Sequence, residues 1–275
     1  MGKPTFLLGV GAQKAGTTWL HRYLCSGSSF APGLMKEYHV WDAIYAVDPG
    51  GPPAFEGTAA TEREGLRQSL VCSPAAYFAH FAGLLSQQEK DLTADITPAY
   101  AALPVDALSR IVAGFAERGV DVKAVMLLRD PVERCWSAAR MYRRKQADVA
   151  GLDHRMEESE LVVRYAQTAH CQRRGRYERT VENLEQCLRP EQIHYAIYED
   201  LFTRESIERM SDFLGRPCNP LFGTETFNVS SKSETLTRTA AAQVAEAFRE
   251  TLAFCAARFP QTQTLWGSYD LLQAG

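Results

Sequence analysis

The sequence predicts an α/β fold, a three-layer doubly wound parallel sheet in a single domain over 1–275. Three observations carry this reading. Residues 5–10 (TFLLGV) form an apolar run followed by Gly11 and Gly16, and a helix-like pattern begins at Thr17; together they read as strand, glycine turn and helix. Residues 122–128 (VKAVMLL) are an apolar run of the kind that a parallel sheet buries on both faces, and a helical pattern follows over 132–146. A further strand, IHYAIY at 193–198, precedes an amphipathic helix near 204–214. Strands alternating with helices wind a parallel sheet between two helical layers.

The elements between these read in order. Residues 45–65 are rich in glycine and proline and suit a surface loop. Pro74 opens a helix over 74–88 at a position that tolerates it, and 105–118 is another helix. Arg129 stands at the end of the 122–128 strand, where open α/β sheets bind ligands. The segment 147–180 is charged and helical in character. After a loop at 215–235, Val244, Phe248, Leu252 and Cys255 share one face of a long final helix over 237–258.

Composition narrows the function. A chain of 275 residues with 45% hydrophobic content buries one substantial core. A net charge of −3 gives no basic excess for nucleic acid, so phosphate recognition should be local. Seven cysteines, scattered and without a CxxC pair, fit a reducing compartment. The apolar stretch at 6–10 is too short for a signal peptide or membrane span. A cytoplasmic enzyme is the expectation. No metal is implied, since the histidines lack ligand spacing.

The most informative segment is Gly11-Ala12-Gln13-Lys14-Ala15-Gly16-Thr17-Thr18-Trp19. Glycines between strand and helix let backbone N–H groups converge on an anion, and the helix N-terminus and two hydroxyls add to the pull. An ATP loop reads GxxxxGK[ST]; here Thr17 follows Gly16 and the lysine sits earlier, at Lys14. That weakens a kinase reading.

QKAGTTWL resembles the 5′-phosphosulfate loop of sulfotransferases that use 3′-phosphoadenylyl sulfate (PAPS). AVMLLRDPVERCWSAARMYRRK resembles the second half of the same signature, with Arg129 at a strand end and Ser137 eight residues later. KEYHVWD at 36–42 is similar to the KEPHFFD-type segment of the carbohydrate branch, and DITPAY at 95–100 and 174–201 resemble later segments of that branch. The resemblance covers most of the chain. It implies a P-loop NTPase-like topology, PAPS as co-substrate, 3′,5′-ADP (PAP) as product, and transfer to a hydroxyl or amine of a small-molecule or glycan acceptor.

The resemblance also implies roles. Lys14, Ala15, Gly16, Thr17 and Thr18 would hold the 5′-phosphosulfate, with Lys14 as the cation at the leaving group. Arg129, whose planar fork suits phosphate, and Ser137 would hold the 3′-phosphate; the other reading of Arg129 is a salt bridge with Asp130 or Glu133. Glu37 would be the base, or else a surface carboxylate beside Lys36. His39 would be the base, orient Glu37, or be a structural histidine. Trp19 would stack on adenine or belong to the core, and Lys232 would close a loop over the cofactor. Asp95 and Thr97 would line the acceptor side. Ile96 stands where the branch often has a polar or basic residue, which counts against a heavily sulfated glycan. Arg140, Arg143, Arg144 and Lys145 form a solvated helix face or approach the acceptor channel. The competing readings are an ATP-dependent small-molecule kinase, a non-catalytic nucleotide-binding scaffold, and sulfation of a phenol or lipid alcohol.

Overall fold

The computed structural model describes residues 3–47, 59–224 and 235–273. Five strands form one sheet in the order β2-β3-β1-β4-β5. They are β1 (Thr5–Gly9), β2 (Phe30–Ala31), β3 (Leu92–Ile96), β4 (Asp121–Leu128) and β5 (Ile193–Ile197), and every pairing is parallel. The fold is the α/β P-loop-like architecture that the sequence predicts, with helices flanking the sheet.

The first crossovers use α1 (Thr17–Cys25), α2 (Trp41–Ile44), α3 (Glu62–Cys72), α4 (Pro74–Leu85) and α5 (Val105–Ala116). Strand β4 leads into α6 (Pro131–Arg144), then α7 (Glu158–Gln167), α8 (Ala169–Gly175) and α9 (Tyr177–Cys187). After β5 come α10 (Arg204–Leu214), α11 (Arg238–Ala247), α12 (Arg249–Arg258), α13 (Thr262–Leu265) and α14 (Ser268–Gln273). Among the described residues, no helix is long and apolar enough to cross a membrane.

Three sequence readings need correction. The loop expected over 45–65 gives way to α3, because Thr61 and Glu64 close a capping box: Thr61 Oγ1 accepts from Glu64 N, and Glu64 Oε2 from Thr61 N. The helix expected over 237–258 is two helices, broken at Phe248, whose backbone (φ −117°, ψ 21°) leaves the helical region. The segment 147–180 holds a turn region and then α7 and α8, separated where Thr168 caps α8.

The core centres on an aromatic cluster between the sheet and its covering helices. Phe6 of β1 stacks on Phe115 of α5 with ring centroids 4.0 Å apart, and meets Phe81 of α4 edge-on at 4.9 Å. All are fully buried. The seven cysteines are free thiols. Cys135 and Cys171 lie beside Arg134, which is completely buried and donates through Nη2 to both sulfurs, at 3.4 and 3.1 Å.

Phe115 touches β1 and α4 together, so its loss leaves a cavity that no single element can close. Phe115→Ala should lower unfolding free energy by about 3–5 kcal/mol, read from urea denaturation.

Candidate active site

Parallel strands end on one side of the sheet, and there the loops after β1, β3 and β4 open onto a cleft of about 700 Å³. Gln13, Lys14, Gly16, Thr17 and Thr18 line it from the turn after β1; Arg129 and Ser137 line it from β4 and α6.

The turn after β1 is built from unusual backbone. Lys14 (φ 68°) and Gly16 (φ 94°) both lie at positive φ. A side chain at 16 would be strained at this φ and would set its Cβ 2.8 Å from Leu201 Cδ2, forcing that side chain to move, so the position favours glycine. Gly16 caps α1 without a side-chain hydrogen bond. The first-turn N–H groups of α1 therefore remain for an anion, at the positive end of the helix dipole.

Arg129 ties the two halves of the site together. Its Nη1 donates to the Lys14 carbonyl at 2.7 Å, and its guanidinium lies 4.3 Å from the centre of the Tyr198 ring. Glu133 stands 3.4 Å from Nη2, so the salt-bridge alternative is present as one weak contact. The buried Nε has no hydrogen-bond partner among the described residues. Arg144 and Lys145 at the end of α6, and Arg174 of α8, add cations to the same wall.

These charges act on Lys14. Burial pushes its ammonium down to about 8, and the neighbouring charges of Arg144, Arg129, Lys145 and Arg140 add to the shift. Like charges gathered in this way, against Glu37 as the carboxylate in the lining, make a site for a polyanion.

Glu37 faces the cleft from the segment between β2 and α2. Its Oε1 is 2.5 Å from Lys36 Nζ and its Oε2 is 3.3 Å from His39 Nε2. Burial alone would raise its pKa, but the hydrogen bonds from His39 and Lys36 overcome this and hold it at about 2. His39 Nδ1 lies 2.7 Å from Asp42 Oδ2. Burial would lower the imidazole, yet its bonds to Asp42 and Glu37 push it up to about 9. At neutral pH the pair is thus a carboxylate and an imidazolium. Lys36 also reaches Thr17 Oγ1 at 3.2 Å, which links this wall to the phosphate turn.

Comparison with known families matches the sulfotransferase domain over residues 4–253. The chain belongs to the sulfotransferase domain family. Similar solved structures include a sulfotransferase from Alicyclobacillus acidocaldarius, 22% identical, with TM-score 0.60, covering 94% of this chain and 96% of that one. The sulfotransferase domain from the curacin biosynthetic pathway is 17% identical, with TM-score 0.50, over 91% and 97% of the two chains. The sulfotransferase domain of the Synechococcus PCC 7002 olefin synthase is 14% identical, with TM-score 0.50, over 92% and 94%. At these identities the structures speak to the fold. No curated protein matches the sequence. The protein is a transferase, a sulfotransferase.

In this sulfotransferase the cleft brings together Lys14, Gly16, Thr17, Thr18, Glu37, His39, Arg129 and Ser137. Ala15 is wholly buried beneath the turn. Trp19 touches the cleft but is 2% exposed, stacked parallel on Tyr23 at 5.3 Å, and donates from Nε1 to the Phe222 carbonyl at 3.1 Å; it is held as a core residue. Lys232 lies outside the described residues. Asp95 and Thr97 do not line the cleft, because both are fully buried beneath it. Ile96 is likewise core, packed where a Gly9 Cβ would collide with it. The basic cluster divides: Arg144 and Lys145 line the cleft, Arg143 pairs with Glu158 at 2.9 Å, and Arg140 lies over Trp136 at 4.4 Å. Lys36, Arg174 and Tyr198 are cleft residues that sequence reasoning passed over.

The depressed Lys14 fixes a pH dependence. Below about 8 the ammonium is charged and draws anions; as pH rises through that value the charge is lost. Pyrophosphate affinity should therefore fall as pH rises through 8, with proton uptake on binding near that pH, since a bound anion restores the ammonium's basicity. Calorimetry in buffers of different ionisation enthalpy reads both, and Lys14→Met should abolish the dependence.

Proposed function

We propose that this sulfotransferase takes its sulfuryl group from PAPS and passes it to a hydroxyl or amine of an acceptor, with a carbohydrate as the first choice. The observation that carries this reading is that the phosphate turn, the Arg129–Ser137 pair and Glu37 all open onto one cleft. An ATP site would need no second anion pocket at the end of β4.

In this reading the turn after β1 holds the 5′-phosphosulfate through Lys14, the hydroxyls of Thr17 and Thr18, and the first N–H groups of α1. Arg129 and Ser137 hold the 3′-phosphate; the unpartnered Nε of Arg129 suits a further bond to it. As the S–O bond to the phosphate breaks, negative charge grows on the leaving oxygen, and Lys14 stabilises it. Glu37 takes the acceptor's proton as the new O–S or N–S bond forms.

A carboxylate held at about 2 is a weak base. Lys36 accounts for part of this, because it bridges Glu37 and Thr17 at 2.5 and 3.2 Å. An anion on the phosphate turn draws Lys36 toward itself and raises the proton affinity of Glu37, while the hydrogen bond from His39, the larger single cause of the depression, stays in place. His39, held as the imidazolium by Asp42 and Glu37, orients the carboxylate and is itself no base at neutral pH. The polar wall of Arg144, Lys145 and Arg174 suits a sugar better than a phenol or lipid alcohol.

The test is transfer of labelled sulfuryl from PAPS to a panel of sugars, amines, phenols and lipid alcohols. Glu37→Gln should cut turnover by about 100-fold or more while PAP binding persists. Wild-type turnover in that variant would remove Glu37 from the mechanism.

A further inference from the structure

Asp95 lies one residue before the end of β3 in full burial, and among the described residues its carboxylate meets hydroxyls and a backbone N–H but no cationic side chain. Oδ1 accepts from Thr97 Oγ1 at 2.6 Å and from Tyr38 N at 3.3 Å. Oδ2 accepts from Tyr100 at 2.8 Å and from Tyr77 at 3.0 Å. An unpaired buried carboxylate is costly, so its retention calls for a role that an apolar residue could not fill.

The partners reveal that role. Thr97 Oγ1, while donating to Asp95, accepts from Tyr38 N at 3.1 Å and His39 N at 3.4 Å. The Tyr100 hydroxyl, while donating to Asp95, accepts from Val40 N at 3.2 Å and Trp41 N at 3.4 Å. Each hydroxyl has one proton, and pointing it at Asp95 leaves its lone pairs for the backbone of 38–41. The Lys36 carbonyl is held as well, accepting from Ile96 N at 2.9 Å.

We propose that Asp95 is a positioning residue for the loop that carries Glu37 and His39. It orients the hydroxyls of Thr97 and Tyr100, and these fix the loop's backbone and so the direction of both side chains. The inference rests on Glu37 acting as base for its catalytic meaning, but the clamp itself is independent of that reading. Ionisation is what the clamp requires, since a protonated or amide side chain at 95 would have to donate into a shell of donors. The Tyr77 and Tyr100 phenols are the titratable groups in contact with it, Tyr38 meets it through its backbone N–H, and Asp42 is the next charge beyond Tyr100.

The experiment reads the loop without any acceptor. The His39 imidazole is followed by NMR across a pH titration in protein labelled at histidine, with its signal assigned from a His39→Gln variant. In the wild type it should titrate near 9. Tyr100→Phe and Thr97→Val, both close in shape to the native residue, should shift it down toward 6.5, and Asp95→Asn should do the same. Tyr77→Phe loses a bond to Asp95 but none to the backbone of 38–41, and should leave the titration in place. Turnover should follow the same split, with about tenfold or greater loss in the first set at unchanged donor KM. A wild-type His39 titration in both Tyr100→Phe and Thr97→Val, or an equal shift in Tyr77→Phe, would overturn the clamp. Failure of the wild type to bind PAP would instead count against the donor reading and leave this result standing.

Discussion

The site depends on β1 standing between β3 and β4, parallel to both. Gly9, the last residue of β1, is level with Ile96 on one side and Val125 on the other. A glycine there lets β3 approach closely, since a Cβ would sit 2.7 Å from Ile96 Cγ2. Because the three strands run the same way, each delivers its next residues to the same edge of the sheet. The phosphate turn leaves β1, the Asp95–Thr97–Tyr100 clamp leaves β3, and Arg129 leaves β4. Residues far apart in sequence thus meet through strand register, and the 2.7 Å bond from Arg129 to the Lys14 carbonyl is the direct product of the β1–β4 pairing.

That convergence has an electrostatic consequence. The chain is acidic overall, at −3, yet the cleft gathers Lys14, Lys36, Arg129, Arg144, Lys145 and Arg174. Burial of Lys14 is the main reason its ammonium is pushed down to about 8, and repulsion from Arg144, Arg129, Lys145 and Arg140 adds to it. A polyanion bound there would relieve this repulsion. The opposite wall is balanced differently: Lys36 and His39 neutralise Glu37. In the proposed mechanism, an anion that competes for Lys36 weakens that balance.

Much of this was legible in the sequence because the relevant signals are local. The turn after β1 announces itself through glycine spacing, and Arg129 through its place after an apolar strand. β3 escaped notice as a strand because Thr93 and Asp95 break its hydrophobic pattern, although all five of its residues are buried. The resemblance of DITPAY to a family segment implied an acceptor-side place for Asp95, whereas its hydrogen bonds hold it beneath the site. Trp19 followed the family pattern in sequence but stacks on Tyr23, a neighbour one helical turn on that could have been read from the i, i+4 spacing. The capping box at Thr61 was a local signal that would have placed α3. Arg174 and Tyr198 required the tertiary fold, since only the packing of α8 and the adjacency of β5 to β4 bring them to the cleft.

Recognition of a 3′-phosphate at the end of β4 is the central claim, and calorimetry with 3′,5′-ADP against 5′-ADP and magnesium tests it most directly. The account predicts tight binding of the 3′-phosphorylated nucleotide, weak binding of 5′-ADP, and loss of the difference in Arg129→Ala. Equal or tighter binding of 5′-ADP by the wild type would contradict it.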